Sequence, residues 1–342
     1  MKKTANALTL AQVGCGYWGP NLLRVFRELE GARVKWLCDL DPGRLSWAGS
    51  RYPDLSLTRD YADILRDPEV DAVIVATVVV THHRLARAAL EAGKHVFVEK
   101  PLARSLAEAR DLAALAARKK RALGVGHVFL YHPAVSAIKA ELSSGRMGKL
   151  CYMDLTRVNP GPPAPKHDVF WDMAPHDVAL AIDAAGEPPR WVRATGRRYR
   201  QSRVDEAGFM EIGFSGSVLA RVHVGWLSSR RLRRVDVYAE RGSLFFDDVE
   251  PFEKLRIVSQ GRDTRVGGGR GGARHLYYGA GDIRIPALPP GEPLRAECAD
   301  FLDAVRRRRQ PLSGPGIGVE VVKALEAAAR SAARGGRVEK LR

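Results

Sequence analysis

Leu8-Thr-Leu-Ala-Gln-Val13 runs straight into Gly14-Cys-Gly16-Tyr-Trp-Gly19, and Leu22, Leu23, Phe26 and Leu29 then recur at helical spacing. This is G-x-G-x-x-G in the strand–loop–helix setting that gives the pattern its meaning. Gly14 permits the tight turn, Gly16 lets the backbone approach a pyrophosphate, and Gly19 lets helix and strand pack closely. The pyrophosphate would rest on the helix N-terminus, held by free N–H groups and the helix dipole. Three glycines alone are weak evidence. The flanking strand and helix turn them into a dinucleotide-binding unit.

The chain continues as that unit requires. Val34 to Cys38 reads as a second strand ending at Asp39, twenty residues after Gly19. A carboxylate there accepts hydrogen bonds from ribose hydroxyls and repels a 2′-phosphate, which favours NAD; Arg44, five residues on, leaves NADP open. Asp39 and Asp41 also read as turn residues before Pro42-Gly43. Strand and helix patterns then alternate: strands at Leu55–Thr58, Asp71–Ala76, Val96–Val98 and Ala122–Gly126, with helices at Tyr61–Leu65, His83–Ala92 and Ser105–Arg118. Ser105 and Glu108 have capping-box spacing. Such alternation predicts a doubly wound parallel sheet.

Within it, Val96-Phe-Val98 leads into Glu99-Lys100-Pro101. Ligands of open parallel sheets bind outside the carboxyl ends of the strands, and Thr77 and His82 share that rim. An acid and a lysine stopped there by proline are placed to meet a substrate. A solvated Glu-Lys pair, with His82 capping the next helix, is the plainer reading of the same residues.

After His127 the pattern changes. A helix from Pro133 to Ser143 precedes an alternating strand, Leu150 to Val158, and a Pro/Gly loop, Asn159 to Pro165. Trp171-Asp-Met-Ala-Pro-His176-Asp177 opens a helix, which puts Asp172 and His176 on one face. A carboxylate so placed fixes the imidazole tautomer and raises its basicity; a capping Asp and a packed His is the alternative. From Trp191 to Val258 the chain reads as antiparallel strands joined by short turns. Residues 259–281 read as a mobile Gly/Arg loop, and helices over Leu294–Arg308 and Gly318–Ala333 finish the chain. The expected domains are 1–126 and 127–342.

Composition narrows the class. With 342 residues, 45% hydrophobic and 27% charged, the chain is long enough for two cores. Cys15, Cys38, Cys151 and Cys298 form no Cys-x-x-Cys pair, so neither a zinc site nor a disulfide framework is expected, and a reducing cytoplasm fits. No run reaches the ~18 apolar residues of a membrane span. The net charge of +16 is dispersed, dense only at Arg306–Arg309 and Arg230–Arg234, and no nucleic-acid motif accompanies it. Attraction of anionic metabolites is the simpler use of that charge.

Gly14-Cys-Gly-Tyr-Trp-Gly19, Thr81-His82, Lys94 to Pro101 and the Asp172-to-His176 spacing together resemble the glucose-fructose oxidoreductase / inositol dehydrogenase / MocA family over nearly the whole chain. The resemblance implies a Rossmann domain followed by an α/β domain with an open, largely antiparallel sheet, and a homodimer or homotetramer formed through that sheet. It implies a cofactor side made of Gly14, Gly16, Tyr17, Trp18, Gly19, Asp39, Thr77, His82, Glu99, Lys100 and Pro101. Trp18-Gly-Pro-Asn21, His127-Val-Phe129 and the segment from Trp171 to Asp177 resemble a subgroup acting on nucleotide sugars, whose better-known members oxidise the 3-hydroxyl of UDP-N-acetylglucosamine or its uronic acid. Val78 stands where the family usually has proline, and Ala179 where many members have a second aspartate.

The expected chemistry is hydride exchange between nicotinamide and a sugar carbinol. Lys100 would polarise the substrate oxygen and His176, oriented by Asp172, would act as base; Arg157, Asn159 and Trp171 are the substrate candidates. No metal is called for. A free-sugar or inositol dehydrogenase, and a silent NAD-binding regulator, are the competing readings.

Overall fold

A computed structural model describes residues 7–161, 168–200, 203–260, 266–268, 274–276 and 281–341. The chain divides into two compact units: Met1–His132 with Gly291–Glu326, and Pro133–Pro290 with Ala327–Arg342.

The first unit alternates β1 (Leu8–Val13), α1 (Gly19–Glu28), β2 (Ala32–Cys38), α2 (Pro42–Arg51), β3 (Ser56–Thr58), α3 (Tyr61–Arg66), β4 (Ala72–Val75), α4 (Val79–Glu91), β5 (His95–Val98), α5 (Leu106–Lys119) and β6 (Leu123–Val125). The six strands are all parallel, in the order β3-β2-β1-β4-β5-β6. That is the doubly wound order, with its crevice between β1 and β4, where the chain reverses direction across the sheet. Ala72, Val73, Ile74 and Val75 are all fully buried, as a strand covered on both faces requires. Helix α4 begins one turn earlier than its apolar spacing suggests, so His82 lies inside it.

The second unit holds α6 (Pro133–Ser143), β7 (Leu150–Pro160), α7 (Val169–Ala185), β8 (Trp191–Arg197), β9 (Ala207–Gly213), β10 (Leu219–Gly225), β11 (Leu227–Ala239), β12 (Gly242–Asp247), β13 (Leu255–Ser259), β14 (Val266–Gly268), β15 (Arg274–Leu276) and β16 (Ile283–Arg284). Helices α8 (Pro293–Arg307) and α9 (Pro315–Ala333) and strand β17 (Glu339–Lys340) complete the chain. Among the described residues the large sheet runs β16-β13-β12-β11-β7-β10-β9-β8-β17. It is antiparallel except at its middle, where β10 lies parallel to β7. The reading of 191–258 as antiparallel neighbours alone is corrected there: β7, from before the strand run, inserts between β10 and β11. Within 259–281, β14 and β15 form a short ladder, and residues 261–265, 269–273 and 277–280 lie outside the described residues.

The unit division also differs from a single cut after Gly126. Helix α8 returns to the first unit because Leu294, Cys298, Phe301, Leu302 and Val305 form one apolar face on its core. Phe26, Phe97 and Phe301 meet edge-on there, at centroid distances of 5.9, 6.3 and 5.6 Å, a geometry that adds about 0.5–1.5 kcal/mol per pair to area burial. Three arginines of the run that ends α8 are tied into the protein's own acids and carbonyls. Arg306 donates to Gly31 O, Arg307 pairs with Asp303, and Arg309 with Asp300 and Asp303. Among the described residues no helix is long and apolar enough to cross a membrane.

Candidate active site

Gly14 has φ +93°, and a Cβ built on it would lie 2.5 Å from Ala76 O, so no other residue fits between β1 and the end of β4. At Gly19 a Cβ would lie 2.8 Å from Gly14 O, which confirms its role in close packing. Gly16 is different: its nearest neighbour would be Arg44 Nη1 at 3.6 Å, so the missing side chain leaves room for a ligand and relieves no clash. Gln12, fully buried, donates from Nε2 to Gly14 O and Gly19 O and holds the loop from beneath. Its polarity at the buried end of the strand, beside Ala11 and Val13, was the signal of that role. Tyr17 is almost fully exposed, and Trp18 is the N-cap residue of α1.

Asp39, at the end of β2, is 8% exposed and accepts from Cys15 N at 2.6 Å and Asp41 N at 2.9 Å. It therefore organises the glycine loop, and each of its carboxylate oxygens keeps further acceptor capacity. Arg44 lies 3.6 Å from both Asp39 and Asp41. Burial, then the Asp39 charge, pushes the Cys15 thiol up to about 11, so it is inert at neutral pH.

The rim after β4 and β5 holds Thr77, Glu99, Lys100 and Pro101. Thr77 Oγ1 lies 2.7 Å from Thr81 Oγ1, and the Lys100-Pro101 peptide is cis. His82 is 1% exposed, with Nδ1 2.9 Å from Pro101 O and Nε2 3.1 Å from Thr77 O. Burial holds the imidazole below its usual range, so the neutral ring donates from one nitrogen to one of these carbonyls and packs beside the other, tying the two rim loops together. Burial, then Lys100, pushes the His127 imidazole, at the end of β6, down to about 3, so it is neutral. Glu99 accepts from Lys100 N, and burial pushes its carboxyl up to about 7 against the opposing Lys100 charge.

In the second unit, Asp168 caps α7 by accepting from Phe170 N and Trp171 N, and the helix carries Asp172 and His176 one turn apart as expected. Asp172 is exposed and His176 half-buried. Trp171 is half-buried in the first turn, and the Asn159 amide donates to Pro160 O. Arg157 differs from expectation. It is 6% exposed and its guanidinium forks onto Asp177, Nε to Oδ2 at 2.7 Å and Nη2 to Oδ1 at 3.0 Å. A buried carboxylate beside it competes strongly with any solvent-side anion for that fork, and through it Arg157 fastens β7 to α7.

Residues 8–127 match the model of an oxidoreductase family with an NAD-binding Rossmann fold, and residues 135–245 match the GFO/IDH/MocA C-terminal domain. An inositol 2-dehydrogenase of Acidothermus cellulolyticus is 33% identical over 207 residues, 59% of this chain and 61% of the relative. A UDP-N-acetylglucosamine 3-dehydrogenase of Acidithiobacillus ferrooxidans is 29% identical over 251 residues, 70% of this chain and 72% of the relative. The crystal structure of an oxidoreductase from Magnetospirillum magnetotacticum superposes with a TM-score of 0.78 at 30% identity, covering 94% of this chain and 99% of that one.

Proposed function

The chain belongs to the GFO/IDH/MocA family of NAD-dependent oxidoreductases acting on CH–OH groups, and on that premise we propose that its substrate is a nucleotide sugar oxidised at the ring C3 carbinol. The residues present fit a dinucleotide: an open approach at Gly16, the N-terminus of α1, and Asp39 for the ribose. Bound NAD supplies a hydride acceptor. The chain supplies position and proton traffic. Lys100, set at the strand end with Glu99 beneath its backbone N–H, holds the carbinol oxygen through its ammonium. His176, with Asp172 one turn before it on α7, is the base that the family resemblance implies.

The observation carrying the enzyme reading is that Lys100 emerges directly after β5, on the rim that also bears the glycine loop and Asp39. For the sugar class, the support is similarity to a UDP-N-acetylglucosamine 3-dehydrogenase over most of both chains. One observation favours a second reading, a free polyol such as an inositol: Arg157 is committed to Asp177, which removes the cation the sequence offered to a pyrophosphate. The test is NADH formation by purified protein with UDP-N-acetylglucosamine, its uronic acid, myo-inositol and free pentoses. Turnover confined to the UDP-sugars supports the proposal; turnover confined to the polyols or pentoses refutes it.

A further inference from the structure

We infer that Glu297, on the returning helix α8, is held as a neutral carboxylic acid that donates its proton in a hydrogen bond to the Glu99 carboxylate, and is thereby a positioning residue for Lys100. The inference rests on the reading of Lys100 as the residue that holds the carbinol oxygen.

Register brings the two acids together. Phe97 and Glu99 project from the same face of β5, two residues apart and about 6.6 Å along the strand. Phe301 and Glu297 share a face of α8, four residues and about 6 Å apart along its axis. The helix runs against the strand direction: Gln310, just past its end, accepts from Leu123 N at the start of β6, whereas Asp300 accepts from Tyr131 beyond the end of β6. Since Phe97 and Phe301 are in edge contact at 5.6 Å, the next pair toward the rim is Glu99 with Glu297.

β6 is cut to admit both pairs. A Cβ at Gly124 would lie 2.9 Å from the Phe97 ring and 3.0 Å from that of Phe301; one at Gly126 would lie 2.9 Å from Glu99 Oε2. Glu297 is 1% exposed, and neither of its carboxyl oxygens has a hydrogen-bond partner among the described residues. A carboxylate without a donor is too costly there, so the group keeps its proton. A neutral acid is a donor, and the acceptor nearest by register is Glu99.

The surrounding charges agree. Burial, then the charges of Glu99 and Asp300, hold the Glu297 carboxyl well above the usual range. Lys100 acts in the opposite sense on Glu99; Cys298 and Tyr131 are both pushed up and neutral, and His127, which feels the same Lys100 charge, is pushed down and neutral. One proton is therefore kept by Glu297 and, above about pH 7, one negative charge by Glu99, under the backbone of Lys100.

The test has two readouts. Infrared spectra of the unliganded protein at about pH 8, where ordinary carboxyls near 4.3 are ionised, should show a protonated-carboxyl band that Glu297→Gln abolishes and Glu99→Gln retains. Wild type and Glu297→Gln with the same spectrum overturn the inference whatever the substrate is. In turnover, Glu297→Gln keeps a neutral donor and should keep the wild-type pH profile of kcat. Because the ionised Glu99 steadies Lys100, its protonation sets the acid limb in this reading, and Glu297→Leu, which leaves Glu99 without its donor, should move that limb up by about one pH unit. A folded Glu297→Leu enzyme with an unchanged profile makes Glu297 a packing residue and defeats the inference. Absence of turnover on every sugar defeats the functional reading alone, and the infrared result then decides this one.

Discussion

Arg157 and Asp177 form a two-pronged ion pair with both side chains withdrawn from solvent, 7% and 1% exposed. It joins β7 to the buried face of α7, the helix whose other side carries Asp172 and His176. Removing one partner strands a buried charge, which costs roughly 3–5 kcal/mol, whereas replacing both with apolar residues is far milder. Arg157→Met should therefore lose stability in urea unfolding by about that amount, and the double variant Arg157→Met/Asp177→Leu should recover most of it.

Lys100→Met and His176→Asn should each lower kcat roughly 10²–10⁴-fold. NAD binding, followed by fluorescence titration, should change little in His176→Asn. Near-normal turnover in both variants would remove them from proton transfer.

At Gly14 the backbone itself is the constraint. Gly14→Ala places a methyl 2.5 Å from Ala76 O at a φ of +93°. Strain of about 1–3 kcal/mol should weaken NAD binding tenfold or more, measured by calorimetry. Gly16→Ala meets no such wall, so it should leave the unfolding midpoint unchanged and weaken NAD binding alone.

Glu99 makes stability depend on pH in a stated direction. Its carboxyl rises from 4.5 unfolded to about 7 folded, so the native state holds the proton more tightly and stability falls as pH rises through that window. The full effect is up to about 3 kcal/mol. His82, His95 and His127 are pushed down by burial and oppose it below about pH 6.5. The wild type should thus lose stability relative to Glu99→Gln between about pH 5 and 8, read as the difference of their thermal midpoints at each pH.

What was legible in the sequence was what local chemistry dictates. A strand, three glycines and an amphipathic helix allow few arrangements, and the Glu-Lys-Pro element falls at a strand's carboxyl end as its apolar run requires. Less legible were contacts between distant segments. The amphipathic pattern of Leu294–Val305 shows that one face is buried but not that Phe26 and Phe97 bury it. Alternation in Leu219–Gly225 marks a strand and is silent on its parallel partner, β7. Arg157 looks like an anion ligand until Asp177, twenty residues on and across a helix, claims it. His82 lies on the anticipated rim, but its burial beside the carbonyls of Pro101 and Thr77 is a contact between segments that the sequence does not display.

The most direct measurement of the central claim is isotope transfer. Wild-type protein is incubated with NAD and UDP-N-acetylglucosamine deuterated at C3, and the nicotinamide product is analysed by mass spectrometry. The account predicts NADH carrying one deuterium, and unlabelled NADH from the unlabelled sugar. NADH without deuterium from the labelled sugar, or no NADH from it while a free polyol is oxidised, would contradict it.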